Sequence, residues 1–353
     1  MEKFYFFNIL CKSINQQSAK NLLEEKQNKN TEVKNIKKLV LFGDSAPQEI
    51  KKKESISLEY VDQEDKIKLA SVLEPFGANY IFSLLIINQS DAPITEVKTR
   101  IRFPDFLTLV RSTPPTLTLD ILDTESYEKQ VKIEYAELKG KNQKQLYLFL
   151  SPSVLEENAE IKSFVTFVNN ADFIRALDSE PIQITFDPYT IERKILPTVE
   201  VKNFVKKPNV KKGKRSIGLA LDKPFDINFF YNQGSKIIES QNFQLIAKDK
   251  TTKISWFFGT ELVSGDDVLL MIEVNSGKIE WSAASENPNI VVTILTSILN
   301  QFKEEMVLLG IINSTEQIFN LECKYCGTAL PYFPTKGKTI KCIKCNYEQI
   351  VWK

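Results

Sequence analysis

Four cysteines near the C-terminus define the one chemistry that residue type and spacing fix in this chain. Cys323 and Cys326 form one C-x2-C pair, Cys342 and Cys345 form a second, and fifteen residues lie between them. This is the spacing of a four-cysteine zinc ribbon, in which two tight turns each aim two thiolates at one tetrahedral Zn²⁺. Gly327 follows the first pair and Asn346 the second. Both residue types tolerate the positive φ that each turn needs as it bends back beneath the metal. Two disulfides or four unrelated thiols are rival readings, and both explain the spacing poorly. With thiolate at all four positions the ion keeps no place for water or substrate, so one structural Zn²⁺ is expected.

The absence of histidine removes whole reaction classes. Ser-His-Asp and Cys-His sites, histidine-held catalytic metals and histidine general bases are all excluded. Neither G-x-x-x-x-G-K-[ST] nor G-x-G-x-x-G occurs, and nothing arranges carboxylates, Lys, Tyr or Cys11 for catalysis. The expectation is that the protein is not an enzyme. One cysteine quartet with one thiol left over suits a reducing, cytoplasmic compartment. No run of eighteen apolar residues is present, so no membrane span is expected. Phe4, Phe6, Phe7 and Leu10 form a short apolar cluster without the features of a signal peptide.

The elements that must position the cysteines follow from periodicity. At 353 residues, with 42% hydrophobic and 26% charged side chains, the chain is long enough for two or three domains. Residues 1–53 read as a polar, partly disordered segment. From 54 to 205 the apolar period is two, with strand-like runs at 55–60, 79–87, 97–103, 117–121, 144–150, 161–168 and 182–186. Val97, Thr99, Ile101 and Phe103 alternate with Lys98, Arg100 and Arg102, as one buried and one wetted sheet face require. Seven short strands without an intervening helix predict an Ig-like β-sandwich, although the Cys…Trp…Cys signature of antibody domains is absent. Residues 206–216 are basic, with Pro208 and Gly213, and read as a solvated linker.

Residues 217–306 are mixed. The segment 240–248 is expected to be a short helix capped by Ser240. Strand runs at 253–262, 268–274 and 278–284 are joined by turns at 264–267 and 275–277. A helix with Asn287 as cap and Pro288 in its first turn is expected over 290–302. The fold class is therefore multidomain β and α+β: a sandwich, a small antiparallel-sheet-plus-helix platform, and a zinc ribbon over 319–353.

The run from Tyr80 to Lys98 is a long buried strand that ends at an Asn-led polar turn before the next strand pairs back, and Thr293 to Phe302 reads as a closing helix. In these two places, and in the succession of sandwich and platform, residues 54–306 resemble the appendage, or ear, of the clathrin-adaptor large chains and the coatomer gamma subunit. The resemblance implies a non-enzymatic role in which a shallow, aromatic-lined platform groove captures short peptides of protein partners during vesicle-coat assembly. Trp256, Phe257, Phe258 and Trp281 are the candidate anchors. The solenoid that precedes an appendage is missing, and the ribbon is an addition.

Two other readings compete with the adaptor-like one. Lys324, Lys336, Lys338, Lys341 and Lys344 make the ribbon basic, and Tyr325, Tyr332, Phe333, Tyr347 and Trp352 could stack on bases of a nucleic acid. A ribbon also needs aromatics to cover its small core and lysines to stay soluble, and the balance of 46 basic against 45 acidic residues weighs against nucleic acid. Peripheral membrane association through residues 4–10 and the basic stretch is the third reading.

Overall fold

The computed structural model describes residues 63–122, 127–155, 159–186, 188–275 and 277–353. The segment 1–53, its aromatic cluster and the strand expected at 55–60 lie outside the described residues.

Two antiparallel sheets enclose the first core. One has the order β1 (Ile67–Phe76), β2 (Asn79–Asn88), β7 (Asn142–Pro152), β4 (Leu107–Thr113). The other runs β10 (Ile182–Ile184), β8 (Ala159–Val168), β3 (Ile94–Pro104), β6 (Tyr127–Leu138), β5 (Thr118–Leu122), with β9 (Ile174–Asp178) also on β8. The expected alternation along β3 holds: Val97, Thr99, Ile101 and Phe103 are buried, while Lys98 and Arg100 are exposed. Phe82, Leu84 and Ile86 of β2 and Leu146, Leu148 and Leu150 of β7 meet that face from the opposing sheet. Burying such aliphatic and aromatic side chains contributes about 1.5–3 kcal/mol each.

A third sheet carries the rest of the chain. It contains β11 (Ile191–Arg193), β12 (Lys211–Leu219), β13 (Gln244–Asp249), β14 (Ile254–Glu261), β15 (Asp267–Asn275), β16 (Lys278–Ser285) and β17 (Ile318–Asn320), ordered β11-β14-β15-β16-β12-β17 with β13 also on β14. Helices α1 (Thr198–Lys206), α2 (Ile227–Ser240) and α3 (Pro288–Leu308) accompany it. The expected hairpins from β14 to β16 and the terminal helix are present, and the Asn287 side chain accepts from the Asn289 N–H at the start of α3.

Three expectations are corrected. The basic stretch 206–216 is not a linker: Lys211 onward is strand β12, paired with β16 and β17 in the sheet interior. Lys211, Lys212 and Lys214 point to solvent while Gly213 and Arg215 are buried, so a strand alternation lies beneath the uniform charge. The helix expected at 240–248 is displaced: α2 ends at Ser240, whose hydroxyl donates to the Ile237 carbonyl, and Gln244–Asp249 is a strand. Its cap is Asp226, which accepts from the Asn228 and Phe229 N–H groups.

The third correction concerns the nominated peptide anchors. Trp281, Phe257 and Phe258 are completely buried, and Trp256 is half-buried. Consecutive residues enter opposite cores. Phe257, Leu270 and Ala283 face α2 and α3, whereas Phe258, Leu269 and Ala284 face Val201 and Phe204 of α1. A sheet covered on both faces needs continuous apolar runs rather than alternation. The aromatic run is therefore core, and Trp281 packs edge-on against Phe302 at 5.0 Å.

Candidate metal centre

The cysteine turns are built by one backbone pattern used twice. In the first, the Gly327 N–H donates to the Cys323 carbonyl at 2.8 Å and the Cys323 N–H to the Thr328 carbonyl at 2.9 Å. In the second, Asn346 donates to Cys342 and Cys342 to Tyr347, both at 2.9 Å. Gly327 and Asn346 have φ of 70° and 60°, the left-handed conformation expected of them, which spares a Cβ penalty at glycine and is tolerated by asparagine.

These turns bring the four sulfurs together. Cys323, Cys326, Cys342 and Cys345 place their Sγ atoms within 4.8 Å of one another, with Cys323–Cys345 at 3.5 Å and Cys326–Cys342 at 3.6 Å. A tetrahedral ion with metal–sulfur bonds of about 2.3 Å spaces its ligands about 3.8 Å apart, and the observed separations, from 3.5 Å to at most 4.8 Å, are compatible with such a site. The close pairs join one turn to the other, as a shared ion requires.

Burial raises the thiol of Cys323. The Cys345 thiol is pushed up to about 12 by burial and by the hydrogen bonds its S–H donates to the neighbouring sulfurs. At Cys326 burial also pulls upward, but hydrogen bonding with Thr328 and with the facing sulfurs brings it down to about 7. Only a cation can hold all four as thiolates together, and binding it must displace protons.

The cysteine unit is packed into the third sheet. Strand β17 pairs with Ile217–Leu219 of β12, and the Leu321 N–H donates to the Ser216 carbonyl at 2.7 Å. Phe333 stacks on both Phe319 and Trp352, which are tilted against each other, and the Phe333 ring is laid against Gly218. A Cβ at Gly218 would fall 2.3 Å from that ring. Gly218→Ala is therefore expected to lower stability by about 1–3 kcal/mol, read as a depressed melting temperature in a protein that still carries its four cysteines.

No family model matches the chain, and no curated protein does. Solved structures with some likeness include the major pilin subunit BcpA of Bacillus cereus, 10% identical over 61% of this chain and 66% of that one, TM-score 0.25. Another is the sporulation control protein Spo0M from Bacillus subtilis, 9% identical over 67% of this chain and 99% of that one, TM-score 0.20. A third is AvmM, which catalyses macrocyclization in alchivemycin A biosynthesis, 11% identical over 35% of this chain and 91% of that one, TM-score 0.25. At such scores none of them carries an argument about this chain.

One residue escaped the sequence reading altogether. Arg215, 1% exposed, donates to the Ala78 carbonyl in the β1–β2 turn at 2.6 Å and to the Ser151 hydroxyl on β7, and lies 4.0 Å from the Glu322 carboxylate beside Cys323. A single guanidinium thus joins all three parts of the fold. Burial raises the Glu322 carboxyl above its ordinary range, with Arg215 the largest opposing influence and Asn79 and Arg111 smaller ones. The only sequence signal was an arginine at an inward position of an unrecognised strand. Among the described residues no helix is long and apolar enough to cross a membrane.

Proposed function

We propose that this chain is a non-enzymatic interaction module: an Ig-like sandwich, an appendage-type platform and a structural zinc ribbon fused into one body, with protein or peptide segments as partners. The observation that carries this reading is the four-cysteine cluster, held to the third sheet through the β17–β12 pairing in a chain without histidine. Four thiolates in tetrahedral array suit Zn²⁺ and saturate it, which leaves surfaces rather than an open coordination site to act.

The strand orders support the sandwich assignment. Reading β1, β2, β7 and β4 as strands A, B, E and D, and β10, β8 and β3 as G, F and C, gives the two sheets of an Ig-like domain, with β5 and β6 inserted between D and E. A strand-helix unit with α2 and α3 on one face and α1 on the other supports the platform assignment. The partner surface, however, moves away from the buried aromatics. The apolar groups left outside on this unit include Ile195, in the link from β11 to α1, and Val199, in the first turn of α1, 80% and 68% exposed.

Ile195→Glu and Val199→Glu alter exposed side chains and are expected to change stability by no more than about 0.5 kcal/mol. Each should weaken a purified protein partner's affinity about tenfold or more, the effect of a charge placed in a small apolar contact. Undiminished affinity in both variants, measured by calorimetry, would remove α1 as the partner surface.

A further inference from the structure

The near-zero net charge of this chain conceals a division. Residues 318–353 hold six lysines and two glutamates, whereas residues 63–317 hold 29 basic and 34 acidic side chains. On the ribbon, Glu322 is buried against Arg215, so Glu348 is the one exposed carboxylate among six exposed lysines. A bound divalent ion with four thiolates adds two negative charges and still leaves the ribbon positive. Its field opposes that of the body.

The ribbon's aromatics divide in the same way. Phe319, Phe333 and Trp352 are turned onto β12 and serve packing. Tyr325, between the first two cysteines, and Tyr347, two residues beyond the last, are stacked on each other, with ring centroids 5.8 Å apart, 24° between planes, and exposures of 60% and 44%. The need to cover a small core explains the first set and leaves the second without a packing role. Lys324, Lys341 and Lys344 are exposed on the same two turns and the strand that enters the second.

We propose that this turn face binds single-stranded nucleic acid, with bases stacking on Tyr325 and Tyr347 and phosphates meeting Lys324, Lys341 and Lys344. Exposed aromatic rings flanked by cations are the pattern that engages unpaired bases irrespective of sequence, because every base has a π-face. Duplex DNA hides those faces, so the single strand is the better fit. An acidic peptide would use the lysines and gain little from two flat rings side by side. This activity adds to the protein-partner reading and is independent of it, since it needs the ribbon and not α1.

The test uses the full, zinc-loaded chain and fluorescein-labelled oligo-dT and oligo-U of about twenty nucleotides, followed by anisotropy. Saturable binding is expected at about 50 mM salt, falling about tenfold or more by about 200 mM as three phosphate contacts are screened. Tyr325→Ala and Tyr347→Ala should each weaken it roughly tenfold with wild-type zinc content and melting temperature. If either fails to load zinc, Lys324→Gln/Lys344→Gln on the same face replaces it and should flatten the salt dependence. Three results would each overturn the proposal: no binding of either oligonucleotide at low salt, equal binding by wild type and the folded variants, or displacement of oligo-dT by polyglutamate as effective as by unlabelled oligo-dT. The α1 variants should bind oligonucleotide like wild type, which keeps failure of the two readings distinguishable.

Discussion

Replacement of Arg215 by methionine is expected to be the most damaging single substitution in the described body, costing about 3–5 kcal/mol because it leaves a carboxylate buried without its cation. Glu322 is 8% exposed, and the methionine also strips hydrogen bonds from the Ala78 carbonyl and Ser151. Lysine will not substitute, since one ammonium cannot reproduce a planar donor directed at the β1–β2 turn and at strand β7 while facing a third group. Chemical denaturation of Arg215→Met, Glu322→Gln and the double variant measures the effect. The double variant should recover a large part of the loss, because it removes the stranded charge. If Arg215→Met and the double variant are equally unstable, Glu322 is not what makes the arginine indispensable.

The pH dependence has a definite sign. The Glu322 carboxyl already titrates above its ordinary value of 4.5 through burial, and loss of Arg215 removes the strongest influence holding it down. A folded carboxyl that binds its proton more tightly than the unfolded one costs nothing below the unfolded value and progressively more as pH rises toward the folded value. The deficit of Arg215→Met should therefore be greatest at neutral pH and shrink as the solution is taken toward pH 4.5. For Glu322→Gln and the double variant the contribution of this group disappears.

Why this node could not be read from sequence, while the cysteine cluster could, is a matter of range. Cys323 to Asn346 is a local pattern: ligand spacing and two residues suited to positive φ define both turns, and φ of 70° and 60° at Gly327 and Asn346 bear that out. The alternation along Ile94–Pro104 and the Asn287–Pro288 helix start are equally local. Contacts of Arg215 with Ala78, Ser151 and Glu322 span 137, 64 and 107 residues, and no period or cap announces them. In Lys211–Leu219 the strand period was masked because outward lysines and an inward arginine share one charge. In Ile227–Ser240 three successive aromatics, Phe229 to Tyr231, and Gly234 weakened the helical signal. The nominated aromatics failed for a third reason: Phe257 and Phe258 read as one exposed face only if the sheet has a free face, and α1 covers it.

Loss of the metal should propagate through the same arginine. Cys342→Ser is expected to reduce bound zinc from one equivalent to none measurable by elemental analysis, since structural zinc supplies an apparent 10–16 kcal/mol or so of the folding free energy of such small units. The apolar centre around Leu321, Leu330 and Ile340 is too small to replace it. A ribbon that folded as an independent unit would unfold alone and leave the body intact. With β17 paired to β12 and Glu322 facing Arg215, unfolding of the ribbon instead deprives the body of a sheet edge and leaves a guanidinium buried without its counter-charge. A body destabilised by about 3 kcal/mol should melt about 6–12 °C lower, followed by the near-ultraviolet signal of Trp256 and Trp281. The decisive comparison is chelation in two backgrounds: removing zinc should lower the body's melting temperature strongly in wild type and only weakly in Arg215→Met, where the charge is already gone. An equal fall in both would assign the coupling to the β12–β17 pairing and the Phe333–Gly218 contact instead of the buried ion pair.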